Sequence, residues 1–275
     1  MKAPSPTPLA VADDAIVRRH NSEGIALVEL NRPDARNSLS AAMLQALGET
    51  LAGIADDKQV RAVVLAANGP GFCAGHDLKE ITEHRKDADG GRAYTRNLMT
   101  RCSAVMQSIH AMPQPVIAAI EGPASAAGCQ LVATCDLAIA STSAKFATPG
   151  VHIGLFCSTP MVALSRNVAP KHAMEMLLTG DLLSADDAFR FGLVNRVVGA
   201  GTAREEAFNW ARKITAKSAL VLKIGKRAFY RQLDMALPDA YRYANEVMLE
   251  NMMMRDAAEG ISAFVEKRTP TWEDR

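Results

Sequence analysis

The stretch Glu121 to Ser141 reads EGPASAAGCQLVATCDLAIAS, and the rest of the chain arranges itself around it. Val116 to Ile120 before it and Leu137 to Ala140 near its end read as short apolar strands, so a small-residue loop opens into a helix between two strands. Ser125, Ala126, Ala127 and Gly128 have almost no side chain to cover the backbone. A ligand atom can therefore reach the first-turn N–H groups, which have no partner inside the helix and sit at the positive end of its dipole. Such a place suits a developing negative charge. The same residues also let a buried helix pack closely on a sheet, and this stretch alone leaves both readings open.

Upstream, Asn68 to Glu80 reads NGPGFCAGHDLKE, a second glycine-punctuated turn after the apolar run Val60 to Ala67. Two backbone donors from separate segments, converging on one oxygen, stabilise an enolate or a tetrahedral oxyanion of a thioester. The pairing of FCAGHDLKE with AAGCQLVATCDLAIAS, preceded by NRPDARNSLS (Asn31 to Ser40) and followed by EGISAFVEKR (Glu259 to Arg268), resembles the crotonase (enoyl-CoA hydratase/isomerase) superfamily. The resemblance runs from about Ala15 to Trp272. SAAGCQLVA, FATPGV and GLFCSTP are most similar to the enoyl-CoA hydratase domain-containing proteins that lack both catalytic glutamates.

The resemblance implies an α/β fold: a superhelix of ββα turns over residues 15–200, then a helical trimerisation region over 201–275. It implies that the N–H groups of His76 and Ala127 form the oxyanion hole. Ala127 stands where a glycine is usual, which keeps the donor and adds a methyl group. His76 is expected as a solvent-facing loop residue acting through its backbone. The family's two glutamates fall at Gln130 and Gly150. Glutamine can hold water but cannot take its proton near neutral pH, and glycine offers no side chain, so hydration is expected to be weak or atypical. Restoring both carboxylates is expected to rescue it if the loop at Cys157 leaves room. His152, Cys157, Ser158 and Thr159 are the other polar groups near that position; a cysteine there is ordinarily packing.

CoA, by the same resemblance, runs along Ala35, Arg36, Ala74, His76, Asp77 and Leu78, with Arg32, Arg36 and Lys79 available to its phosphates and Phe264 and Lys267 reaching CoA held by a neighbouring subunit. That makes an acyl-CoA or enoyl-CoA thioester the partner and a homotrimer or hexamer the assembly, with coenzyme A entering only as part of the substrate. The alternatives are an isomerase or thioester hydrolase on the same fold, or a non-catalytic acyl-CoA binding or regulatory protein.

A length of 275 residues with formal net charge +1 gives no electrostatic case for nucleic acid or an anionic membrane. The five cysteines show no CxxC pair, no metal-ligand spacing stands out, and no apolar run is long enough to span a bilayer, which reads as a reduced cytoplasmic protein. Met1 to Asp14, with Pro4, Pro6 and Pro8, reads as a mobile tail. Ile25 to Leu30 reads as strand, Ser40 as the N-cap of a helix burying Met43, Leu47, Leu51 and Ile54, Leu78 to His84 as a short helix, and Asp87 to Gly91 as a flexible insert. Tyr94 to Ala111 has helical periodicity, and Ser184 starts a helix that Gly192 closes before a last strand at Leu193 to Val198. Strand and helix alternate with no room for long antiparallel hairpins, and beyond Gly201 everything reads helical.

Overall fold

The protein is seen in a computed structural model that describes residues 14–275; the expected tail lies almost wholly outside the described residues. The main sheet has six strands in the order β1-β2-β3-β4-β6-β9: β1 Val17–Ser22, β2 Ile25–Leu30, β3 Ala62–Ala67, β4 Val116–Ile120, β6 Leu137–Ser141 and β9 Arg196–Val198. All neighbours pair in parallel except β1 and β2. That antiparallel hairpin corrects the expectation from sequence. β1 escapes a pattern search because VRRHNS buries only Val17 on an otherwise polar edge strand.

The strands' period of two sorts their side chains onto two faces. Val63, Leu65, Val116, Ala118 and Ile120 join the larger core with α1 (Ala41–Ala55) and α3 (Arg92–Ala111). Ala62, Val64, Ala66, Ile117 and Ala119 face α8 (Ala203–Thr215), whose Ala203, Ala207 and Ala211 recur every four residues and are fully buried. Ser40 caps α1 by accepting from the Met43 N–H, as read from sequence.

A second sheet of three short strands, β5 (Ala124–Ser125), β7 (Lys145–Ala147) and β8 (Leu183–Ser184), braces the central turn, and α4 (Ala127–Thr134) follows it directly. The short helix α2 (Leu78–His84) starts on Asp77 as expected. The Asp87 to Gly91 stretch is a hydrogen-bonded turn and not a loose insert: the Asp89 carboxylate accepts from the N–H groups of Gly91 (3.0 Å) and Ala93 (2.8 Å). Helices α5 (Pro160–Asn167) and α6 (Pro170–Thr179) were not anticipated; each opens on a proline, which is welcome in a first turn. Ser184 starts α7 (Ala185–Arg190) with a capping box, and β9 is shorter than the expected strand.

After α8 come α9 (Ala219–Gln232), α10 (Leu237–Met252) and α11 (Arg255–Glu266). Helix α9 is pinned to the core by Lys226, whose Nζ donates to Ile109 O (2.7 Å), Gln114 O (2.8 Å) and Asp136 Oδ2 (2.7 Å). Tyr230 donates to the other oxygen of Asp136 at 2.8 Å. The Lys226 and Asp136 side chains are only 7% and 13% exposed, so breaking the pair strands a charge away from water. Lys226→Met should lower stability by about 3 kcal/mol, whereas Tyr230→Phe, which removes one neutral donor, should cost about 1 kcal/mol. Denaturant midpoints of the two variants check this, and equal losses would contradict it.

Candidate functional site

Two glycine-bearing turns meet in the middle of the molecule. The peptide at Cys73 lies beside Ala124 as a one-residue parallel bridge, with Ser125 N–H donating to Cys73 O (2.9 Å) and Cys73 N–H to Pro123 O (3.2 Å). Gly128 packs so tightly on this strand-like segment that an added Cβ would stand 2.1 Å from the Cys73 carbonyl oxygen. Gly75, at φ +91°, leaves only 3.3 Å between its own would-be Cβ and the Ala127 nitrogen. A third segment joins them: Leu39 N–H donates to Gly75 O (2.7 Å), Asp77 N–H to Leu39 O (3.3 Å) and Ala74 N–H to Arg36 O (3.0 Å).

These bonds use the peptides on either side of His76 and leave its own N–H without an acceptor among the described residues. The Ala127 N–H is likewise free, because it belongs to the first turn of α4. The residue before it, Ala126, has φ +50° and ψ −117°, a conformation that costs a non-glycine residue about 1–3 kcal/mol. It is held there from both sides, its N–H donating to Ala147 O (2.9 Å) and its carbonyl accepting from Gln130 N–H (3.0 Å). Strain of this kind next to a free donor marks a place where the surrounding fold dictates the backbone. No residue type in the sequence announced it.

The segment NRPDARNSLS has its own latch, missed from the sequence. Asn37 is fully buried at φ +54°, its Nδ2 donating to Asn68 O and Gly71 O (both 2.9 Å) while its Oδ1 accepts from Arg32 N–H (2.7 Å). Asparagine tolerates the left-handed region better than most residues, which is the one signal that could have flagged it. Arg32, expected to be available to phosphates, donates instead from Nη2 to Asp77 (3.2 Å). Asp77 caps α2; burial works against its charge, but backbone N–H donors and Arg32 hold its pKa below the ordinary value. Arg36 and Lys79 are exposed, and Ala35 is half-buried beside them. Ala74 and Leu78 face solvent.

His76 corrects the expectation of a solvent-facing imidazole. Its Nε2 is buried with no partner among the described residues, and burial pulls its pKa down to about 4. The ring is neutral at neutral pH. Gln130 is buried, as is Gly150, which sits in a 3-10 turn at Pro149–Ile153. A Cβ on Gly150 would lie 2.8 Å from Leu155 O and 2.9 Å from Cys157 Sγ. The loop therefore leaves no room for a glutamate there, contrary to the condition on which rescue depended. Burial raises the Cys157 pKa and pushes that of Cys129 to about 12, so both thiols stay protonated and poorly nucleophilic. His152 is committed elsewhere, its Nε2 bonding to Thr179 O at 2.8 Å. Ser158 bonds back to Phe156 O, and Thr159 starts α5.

Phe264 (85% exposed) and Lys267 lie on α11 and just after it. Their helix packs on α10 and is held by the C-terminal segment, where the buried Asp256 carboxylate accepts from the Glu273 and Asp274 N–H groups (2.9 Å each). Within one chain they are not brought to the two turns. Two clefts of about 440 and 430 Å³ lie between α1, the end of α3 and α9, away from the turns. Among the described residues no cluster of His, Cys, Asp or Glu is placed to hold a metal ion, and no helix is long and apolar enough to cross a membrane.

A sequence profile described as enoyl-CoA hydratase/isomerase matches residues 20–275. Human mitochondrial enoyl-CoA hydratase domain-containing protein 3 is 46% identical over 91% of this chain and 81% of its own, and the mitochondrial enoyl-CoA hydratase of Pongo abelii is 32% identical over 94% and 87%. The crystal structure of an enoyl-CoA hydratase from Mycobacterium smegmatis superposes with TM-score 0.89 at 50% identity, covering 94% of this chain and 99% of that one. That of the human domain-containing protein 3 gives 0.89 at 44%, covering 94% and 100%. The chain belongs to the enoyl-CoA hydratase/isomerase (crotonase) family. The cytoplasmic placement read from the sequence is corrected by these relatives: the domain-containing protein 3 of human, frog and rat is in each case named mitochondrial. Neither cysteine count nor the lack of a bilayer-spanning apolar run tells the cytoplasm from the inside of a mitochondrion.

Two outcomes check this geometry. Gly128→Ala should force the turns apart and weaken acyl-CoA binding at least tenfold, measured by calorimetry; unchanged affinity would contradict the close approach. The His76 imidazole titrates below its unfolded value of 6.5, so the unfolded chain binds more protons between the two values and stability falls as pH drops from about 6.5 towards 4. His76→Ala should remove that component of the acid destabilisation, read from denaturation midpoints across this range. The same variant should keep most acyl-CoA binding.

Proposed function

We propose that the protein binds an acyl-CoA or enoyl-CoA thioester and polarises its carbonyl with the His76 and Ala127 N–H groups. The observation that carries this reading is the pair of unclaimed N–H groups on turns held in contact through Gly75, Gly128 and Cys73. Fixed donors of this kind are worth about 10² to 10³ in rate when negative charge develops on the oxygen. The CoA moiety follows the backbone of Ala35, Arg36, Ala74, Asp77 and Leu78, with Arg36 and Lys79 meeting phosphates. Phe264 and Lys267 contribute from a neighbouring subunit of a homotrimer or hexamer. The apolar residues left exposed on the C-terminal helices, among them Leu237 (70%), Met253 (76%) and Val265 (73%), support such an assembly. No cofactor beyond the substrate's own coenzyme A is needed.

Hydration is weak on this reading. A positioned acid or base contributes about 10² to 10⁴, and neither Gln130 nor Gly150 can serve as one. The neutral, low-pKa His76 and the high-pKa Cys157 do not replace them. The same lack favours a second reading, in which the protein binds acyl-CoA without turning it over. Calorimetry with crotonyl-CoA beside steady-state hydration should show binding with turnover far below about 10 per second; turnover at or above that rate would defeat the proposal. Because Gly150 has no space beside Leu155 and Cys157, Gln130→Glu with Gly150→Glu should not restore hydration and should cost about 1–3 kcal/mol through overpacking.

A further inference from the structure

Ala126 holds a conformation that suits glycine. At φ +50° and ψ −117° it lies in the mirror image of the extended region, which glycine enters freely and a residue with a Cβ does not. An alanine forced to positive φ destabilises a fold relative to glycine, so the methyl needs a reason beyond small size. Its surroundings supply one. A Cβ built on Gly75 would stand 2.9 Å from the Ala126 Cβ, 3.0 Å from Ser125 O and 3.3 Å from the Ala127 nitrogen. The Ala126 methyl therefore lies against the bare face of Gly75.

This contact falls between the two peptides that carry the unclaimed donors. The His76 N–H belongs to the peptide that begins at the Gly75 carbonyl, and the Ala127 N–H to the one that begins at the Ala126 carbonyl. Each carbonyl is already tied, Gly75 O accepting from Leu39 N–H at 2.7 Å and Ala126 O from Gln130 N–H at 3.0 Å. Those bonds fix each peptide to its own segment. The contacts of Cys73 with Ser125 and Gly128 hold the turns together, but they involve neither donor peptide. Only the methyl bridges from Ala126 to Gly75. A glycine at 126 would free φ and ψ there, and the peptide bearing the Ala127 N–H could swing between its ends.

Resting on the thioester reading above, we infer that Ala126 is a positioning residue whose methyl, braced on Gly75, keeps the Ala127 N–H aligned with that of His76 at a cost in stability. A packing role makes stability and carbonyl polarisation change together when the methyl is removed; a positioning role drives them in opposite directions. The test reads both on the full chain at one protein concentration. Isotope-edited infrared difference spectra of saturating butyryl-CoA, labelled with ¹³C at the thioester carbon, give the downshift of the C=O stretch on binding. Thermal unfolding without ligand gives the midpoint. Ala126→Gly should cut the downshift to about half of wild type or less, loss of binding included, because donors act only when held in line. Its midpoint should rise by about 2–4 °C. Ala126→Ser, which puts a Cβ back, should restore most of the downshift. An undiminished downshift in Ala126→Gly overturns the inference and leaves the thioester reading intact, as does a midpoint that is unchanged or lower. A diminished downshift that a folded Ala126→Ser does not restore also overturns it, and the glycine arm stands even if the serine variant does not fold. A wild type that binds no butyryl-CoA, or binds it without a downshift, overturns the thioester reading and the inference with it.

Discussion

Everything about this site depends on backbone touching backbone. The Cys73 carbonyl approaches Gly128 so closely that one methyl group would fit only by displacing a strand-like segment, since its carbon would stand 2.1 Å from that oxygen. This contact sets the distance between two turns that are far apart in sequence. It also fits the small residues at Ser125 to Gly128, since a side chain at Gly128 would push the two turns apart. On the proposed reading the donors of His76 and Ala127 would not have to reorganise as charge develops, which is where an effect on a rate arises. The strained Ala126 is the visible cost of that arrangement, held by β7 on one side and α4 on the other.

Much of this could be read in the sequence, and the reasons for success and failure are physical. Both turns were legible because glycines and small residues follow apolar strand runs; either stretch alone also suits close packing, and the two together narrow the reading. Helices with strong caps, such as α1 behind Ser40 and α7 behind Ser184, carried their own start signals. β1 was not legible, because an edge strand facing solvent has no need of apolar alternation. α5 and α6 carry no side-chain N-cap, and their start signals are Pro160 and Pro170, which suit turns as well as first helical positions.

Site chemistry divided in the same way. A residue proposed to act through its backbone, such as Ala127, is placed by the resemblance of its motif and needs no side-chain signal. Burial cannot be placed in that way. His76 read as a loop histidine, yet its ring lies in the protein and is held neutral, and Arg32, expected to be available to phosphates, also pairs with Asp77. Whether Gly150 could accept a larger side chain depended on Leu155 and Cys157 folding back over it, a through-space fact with no trace in the local sequence. The helical tail presents a related case: its apolar residues announced that it docks on something, and the structure adds that Lys226 and Asp256 hold it firmly to its own chain while Phe264 points outward.

If two main-chain N–H groups polarise a thioester carbonyl as proposed, the vibration of that carbonyl reports it most directly. Isotope-edited Raman or infrared difference spectra of a bound saturated acyl-CoA, labelled with ¹³C at the thioester carbon, isolate the C=O stretch. The band is expected at clearly lower frequency than for the free ligand, and is retained in His76→Ala, where the backbone donor survives. A bound ligand whose C=O stretch stays at its solution frequency would contradict it.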